Sequence, residues 1–289
     1  MSRVMTSTSP GATAAAAPAP RKNTKTRSRF DNPWGRSLLQ LLIAALVLRA
    51  WQFGVDAGWI SAFMVGSPAE IWKSLVRGAA DGQLWTDSYY TLFEAILGFA
   101  IGTVAGSALG LALWYSPFVA RLTEPFIIAI NSIPKIAFGP IVILWFGTGL
   151  ISKVALAVSL TSIVALIAAY QAAKNADLDF QTLLVTLGAD KKEIFFKVIV
   201  PSSLPAIIAT FHINIGFGLV GAVVGEFISS EHGLGHMIFT ASGLYDLNTV
   251  WAGLFMLMVI GFSLYFVVDY VERKLLPWKE DTHQATLNV

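Results

Sequence analysis

Chemistry in a protein needs a nucleophile, a metal-binding set, a phosphate cradle or a charge held where water is scarce. This sequence supplies only the last. Its histidines are His212, His232, His236 and His283. His232 and His236 have the i,i+4 spacing that places two imidazoles on one helical face. Gly233 and Gly235 lie between them and disfavour a helix, so the stretch reads as a plain loop without a metal. Cysteine is absent, which excludes disulfides, thiolate metal sites and a cysteine nucleophile. No Ser/His/Asp set is recognisable, and no Gly-x-x-x-x-Gly-Lys-Ser/Thr loop is present to hold nucleotide phosphates. The chain therefore reads as a non-enzyme that binds no cofactor of its own. What remains are polar groups inside apolar stretches: Asn131, Lys135, His212, Asn214 and Glu226, with Glu94 near a segment end. Such groups sit between helices or along a path, or they snorkel and cap at an interface. Glu94 reads as an interface residue, and Glu226 as part of a gate or a helix cap. Asn131, Lys135, His212, Asn214 and Glu226 are the candidates for a translocation path.

The elements that position them follow from composition. The chain has 289 residues, of which 55% are hydrophobic and 13% charged, about half the charge of a soluble domain. A net charge of +2 gives no basic field for nucleic acid. A helix needs roughly 20 apolar residues to cross a ~30 Å hydrocarbon core. Six segments qualify, at about 37–55, 90–115, 125–146, 152–172, 204–228 and 250–271, which predicts an all-α membrane protein with six transmembrane helices. In the first, Arg49 and Gln52 lie near one end. The third contains Pro134, Gly139 and Pro140, so it should be kinked or locally unwound, which is tolerated at membrane depth only where protein or a water-filled cavity covers the backbone.

Residues 1–33 are rich in Ala, Pro, Ser and Thr and then basic (Arg21, Lys22, Arg27, Arg29), and predict a disordered tail rather than a cleaved signal. Residues 34–278 form the membrane domain, and 279–289 a loose C-terminal tail. Lys and Arg collect in the N-terminal tail, in the loop after the fourth span (Lys174, Lys191, Lys192, Lys197) and near the C-terminus (Arg273, Lys274, Lys279). Six crossings put all three on one side, so the positive-inside bias predicts both termini in the cytoplasm. Glycines stripe the second span at Gly98, Gly102, Gly106 and Gly110, and the fifth at Gly218, Gly221 and Gly225. Both stripes fit close helix packing, or an interface that moves during transport.

The loop at 174–201 is the most informative segment. Residues 179–187 are helix-compatible, and Gly188 can adopt the left-handed conformation that ends a helix. Asp190 with Glu193 three positions on reads as a capping box, and Ile194, Phe195, Val198 and Ile199 supply an apolar face. The result is two short helices around a glycine bend, serving either as a docking element or as an interfacial connector. The stretch from Thr182 to Pro201 resembles the cytoplasmic signature loop of binding-protein-dependent ABC permeases: Glu-Ala-Ala, three residues, Gly, nine residues, Ile-x-Leu-Pro. Gly188 and Pro201 match in separation, Val198 and Val200 are apolar equivalents, and Thr182, Leu183 and Leu184 replace the Glu-Ala-Ala. Asn131–Gly149, Gly225-Glu-Phe-Ile, Gly233-Leu-Gly235 and Glu272–Trp278 are similar to the branch serving aliphatic sulfonates, taurine, nitrate and pyrimidine precursors.

The resemblance implies a type I ABC importer permease whose loop is a coupling helix for a cytoplasmic ATPase. On that basis Phe180, Thr182, Leu183, Leu184, Leu187, Gly188, Ala189, Asp190, Lys191 and Lys192 would carry the contact. It also implies a second copy of the permease, ATP and Mg on the separate ATPase, and a periplasmic or lipid-anchored solute-binding protein. The expected cargo is a small anion such as a sulfonate, taurine or nitrate, with a pyrimidine precursor or another small neutral or cationic solute as the alternative. A gradient-driven secondary transporter is the alternative class. It would need intramembrane carboxylates and usually an inverted repeat, and the sequence displays neither a central carboxylate pair nor a repeat.

Overall fold

The computed structural model describes residues 33–277, and every described element is a helix or a turn. The basic stretch 1–32 and the tail 279–289 lie outside the described residues. The chain divides into one unit ending at Arg49 and a second starting at Ala50. Helix α1 (Pro33–Asp56) begins in the first and ends in the second, and its Leu38, Leu41 and Leu46 are exposed as lipid-facing side chains should be.

In the second unit, α2 (Ala62–Val65) and α3 (Pro68–Ala80) connect to α4 (Gln83–Leu113). The sequence reading did not anticipate α3. Its start is nevertheless well marked: Ser67 accepts from the Glu70 N–H and Pro68 fills the first turn. Helix α4 has 31 residues, roughly 46 Å at ~1.5 Å per residue, which exceeds a hydrocarbon core. Then come α5 (Pro117–Ser132), a 3₁₀ turn (Lys135–Phe138), α6 (Gly139–Phe146) and α7 (Leu150–Lys174). Next are α8 (Leu178–Thr186), α9 (Lys191–Ile194), a π turn (Phe195–Ile199) and α10 (Val200–Ala209). Helices α11 (Phe211–Ile228), α12 (Leu234–Gly243) and α13 (Leu247–Leu275) complete the chain.

Five helices are long and apolar enough to cross a membrane, and six if α5 with the following turn and α6 count as one span. That third span is broken rather than kinked: its halves meet at 88°. Pro134 ends α5, because the residue before a proline is driven out of the α region, and Ile133 has ψ +133.

Helix α7 is the centre of the second unit, between α4 and α11. A Cβ on Gly98 would meet that of Ala157, one on Gly102 the Thr161 hydroxyl, and one on Gly106 the Ser162 carbonyl. From the other side, Gly221 lies against the Ala157 backbone and Gly225 is 3.0 Å from Lys153 Cα, measured from the position a Cβ would take. The glycine stripes are thus packing surfaces that bring three backbones together.

Candidate functional site

The loop after α7 is built as a bracket. Helix α8 starts on Asp177, which accepts from the Asp179 N–H, and ends before Gly188, whose φ is +85. Asp190 then accepts from Glu193 N–H at 2.6 Å while Glu193 accepts from Asp190 N–H, a complete capping box. Lys197, bonded at 2.8 Å, together with the Asp190 N–H holds the Glu193 carboxyl below its ordinary range. One side of the bracket is fastened. Ile194 and Ile199 are buried with Ala173 and Ala176, and Leu184, Ala189, Phe195 and Val198 pack against them together with Leu111 and Trp114. Lys191 donates to the Tyr115 carbonyl at 2.6 Å and lies over the Trp114 and Tyr115 rings. The other side is bare: Leu178, Phe180, Leu183, Val185 and Leu187 are all more than half exposed.

The ten residues expected to meet a partner therefore divide. Phe180, Leu183 and Leu187 are exposed, and Lys192 is exposed beside them. Leu184 and Ala189 face the bundle, Asp190 is occupied as a cap, and Lys191 ties the loop to the end of α4. Thr182, where the signature has glutamate, gives its hydroxyl proton to Leu178 O in its own helix at 2.8 Å.

The five path candidates do not converge. Asn131 and Lys135 meet across the break after α5, with Lys135 Nζ donating to Asn131 Oδ1 at 3.0 Å. His212 is half-buried, 2.8 Å from Glu272 Oε2 of α13, with its ring against Tyr265. Asn214 is fully buried and donates to Thr103 Oγ1 of α4 at 2.9 Å. Glu226 is fully buried at the far end of α11.

Around Glu226 the structure assembles a network at the opposite end of the three-helix core from the bracket. Thr91 donates to Glu226 Oε1 at 2.7 Å and accepts from Leu234 N–H at 2.8 Å. Gly235 N–H donates to Glu226 Oε2 at 2.7 Å, and Gly233 N–H donates to Asp87 Oδ1 at 2.8 Å. Lys153 donates to Glu94 Oε1 at 2.9 Å and to Ser230 Oγ at 2.6 Å. Asp87, Thr91, Glu94, Lys153 and Glu226 are all buried.

The family described as "Binding-protein-dependent transport system inner membrane component" matches residues 98–277. The chain belongs to this family. As a permease of an ABC importer, it is 31% identical over 227 residues to the formylaminopyrimidine transport permease protein ThiX of Halalkalibacterium halodurans, covering 76% of this chain and 90% of that one. The taurine transport system permease protein TauC of Escherichia coli is 26% identical over 239 residues, 81% of this chain and 87% of its own. Among solved structures, an inward-facing MetNI methionine ABC transporter chain superposes with a TM-score of 0.60 at 18% identity, over 68% of this permease and 97% of that chain. That likeness establishes the type I importer fold.

Three features of the permease correct the reading from sequence. Glu94 is not an interfacial cap: it is 1% exposed and ion-paired. Glu226 is likewise fully buried, so two buried carboxylates come from α4 and α11 at one end of the core, the first held by Lys153 and the second by Thr91 and Gly235. His236 lies on α12 rather than in a loop. Gly235 occupies the first turn of that helix, where its N–H is needed by Glu226. His232 precedes the helix and stacks on Tyr90. Among the described residues no group of three or more His, Asp or Glu side chains is arranged for a metal. Lys153 was missed because it stands at the edge of the fourth apolar run. The available signal was a lysine just inside a span otherwise free of charge until Lys174.

Proposed function

We propose that this permease takes its energy from an ATPase on a separate polypeptide, which docks on the bare face of α8 and the Gly188 bend. One observation carries the reading: the bracket is fastened on one side by Ile194, Ile199 and Lys191 and presents Phe180, Leu183 and Leu187 on the other. A docked lever must be stiff toward the body it moves and apolar toward the body that drives it. In this reading two copies of the permease work with two ATPases, which carry the ATP and Mg, and with a periplasmic or lipid-anchored solute-binding protein. The basic bracket and both termini face the cytoplasm.

Gly188→Val tests the coupling. At φ +85 a β-branched side chain is strongly disfavoured, so the bend must distort. Membrane insertion should persist, while uptake and the stimulation of ATPase activity by the solute-binding protein should fall. Unchanged uptake at matched expression would remove the bracket from the coupling role.

For the cargo we propose a small anion that passes the break between α5 and α6. Lys135 supports this, because among the described residues its partner is the neutral Asn131 and no carboxylate cancels its charge. TauC, a taurine permease, agrees with it through the sulfonate group, although taurine also carries an ammonium group. A pyrimidine-like solute is the second reading, favoured by the resemblance to ThiX, and it leaves Lys135 the narrower task of fixing the break. The ligand held by the cognate solute-binding protein separates the two.

A further inference from the structure

The network at the far end of the core has a geometry that transport through packed helices alone does not require. Its members come from α4, α7, α11 and the turn into α12. Asp87, Thr91 and Glu94 lie on one face of α4, spaced i, i+4 and i+7. Lys153 is in the first turn of α7, Glu226 in the last turn of α11, and Ser230 and Gly233–Gly235 form the turn into α12. Along the rest of their length α4, α7 and α11 meet through glycine, alanine and larger apolar side chains such as Phe99, with Asn214–Thr103 and Thr161–Gly98 as isolated hydrogen bonds. At this end a buried ion pair and several hydrogen bonds converge, and each of the groups would be costly to leave without its partner.

The turn is also shaped around the Glu226 carboxylate. Gly233 has φ +117, and a Cβ there would overlap the carboxyl group. A Cβ on Gly235 would stand 2.6 Å from Val223 O and 2.7 Å from Glu226 Oε2. The two glycines therefore leave room for three successive backbone N–H groups, those of Gly233, Leu234 and Gly235, to close on Asp87, Thr91 and Glu226. Leu234 between them is wholly buried among Leu84, Ile215, Ile260 and Leu264, so the turn is pinned by an apolar side chain as well.

We infer that Glu94, Lys153 and Glu226, with Asp87 and Thr91, are positioning residues for transport. They lock the turn between α11 and α12 onto the ends of α4 and α7, so that this end of the four helices moves as one body. The role in transport rests on the permease reading above, while the lock itself is a statement about this chain. Removing Lys153 alone would leave Glu94 buried and unpaired, which endangers folding. The informative variants are Glu94→Gln/Lys153→Met, which removes both charges together, and Glu226→Gln, which keeps the shape.

Hydrogen–deuterium exchange on the assembled importer in membranes reads the lock without a reporter substitution, because the N–H groups of Gly233, Leu234 and Gly235 are its own donors. With the lock intact these amides should exchange slowly, as should those of α7 around Ala157 in the glycine seam. In either lock variant the 233–235 amides should exchange at least tenfold faster while those around Ala157 stay slow. Uptake of the solute held by the cognate solute-binding protein should fall at least tenfold. The inference is overturned if the 233–235 amides stay slow, if both regions accelerate alike, or if uptake is unchanged when the turn is released. Failure of the unaltered chain to co-purify with an ATPase would instead strike the permease reading and leave the exchange result standing.

Discussion

Lys135 and Lys153 both lie in apolar segments, yet the fold uses them differently. A lysine at the centre of a bilayer costs about 2.5–3.5 kcal/mol on insertion scales, so each needs compensation. Lys153 finds it in Glu94 and Ser230 and is sealed from solvent. Among the described residues Lys135 has Asn131 as its partner, and it stays partly exposed beside the break after α5. On the anion reading proposed above, that charge acts on the passing solute. Lys135→Met keeps much of the length and removes the charge. Uptake of an anionic solute should fall roughly fivefold, in line with ~1 kcal/mol for a half-exposed charge interaction, with ATPase assembly unaffected. Uptake assays at matched expression check this, and a variant that transports normally would end the anion assignment without touching the permease assignment.

At the level of elements, the contact between α4 and α7 decides how tightly the core closes. Gly106 is the strictest position on α4: an added Cβ would meet Ser162 O and approach Ser162 Cα to 2.9 Å, and backbone cannot swing aside as a side chain can. Gly106→Ala should therefore separate the helices and cost about 1–3 kcal/mol. Gly216 on α11 has no neighbour within 4 Å of an added Cβ, so Gly216→Ala should be neutral or slightly stabilising in the chain itself. Thermal unfolding of the two variants in one detergent compares them directly. Equal midpoints would mean that the seam can open at no cost. The same stripe was visible as Gly98, Gly102, Gly106 and Gly110 in the sequence. Its partners on α7 were not, because Ala157, Thr161 and Ser162 carry no mark that sets them apart from other small residues in an apolar run.

For the whole molecule the outstanding matter is which end faces which compartment. The bracket and the buried lock lie at opposite ends of α4, α7 and α11, so fixing the side of one fixes the other. The distribution of Lys and Arg predicts that the bracket is inside. Lys192→Cys should then be silent to an impermeant thiol reagent in intact cells and react after lysis. His232→Cys and Asp81→Cys should react from outside, all three positions being exposed. The reverse pattern would invert the topology, and a mixed pattern would show that the bent segment from α5 to α6 returns to its own side instead of crossing.

The amino-acid sequence by itself determined the class of molecule, the apolar segments, the glycine bend at Gly188 and the capping box of Asp190 and Glu193. Each rests on neighbours in the chain: a run of hydrocarbon long enough for a bilayer, a residue able to hold positive φ, an acid three positions from a cap. It also marked the broken third span through Pro134, though the 88° turn of α6 comes from its packing against α7 and α11 through Val142, Leu156, Leu160 and Val224. Only the tertiary structure decided which polar groups meet. Lys153 and Glu94 are 59 positions apart, and Thr91 and Glu226 are 135 apart. A buried charge is settled by a partner from another helix, and no local pattern records which helix that is. For the same reason Lys191, which looked free to meet a partner, is engaged with Tyr115, 76 positions away.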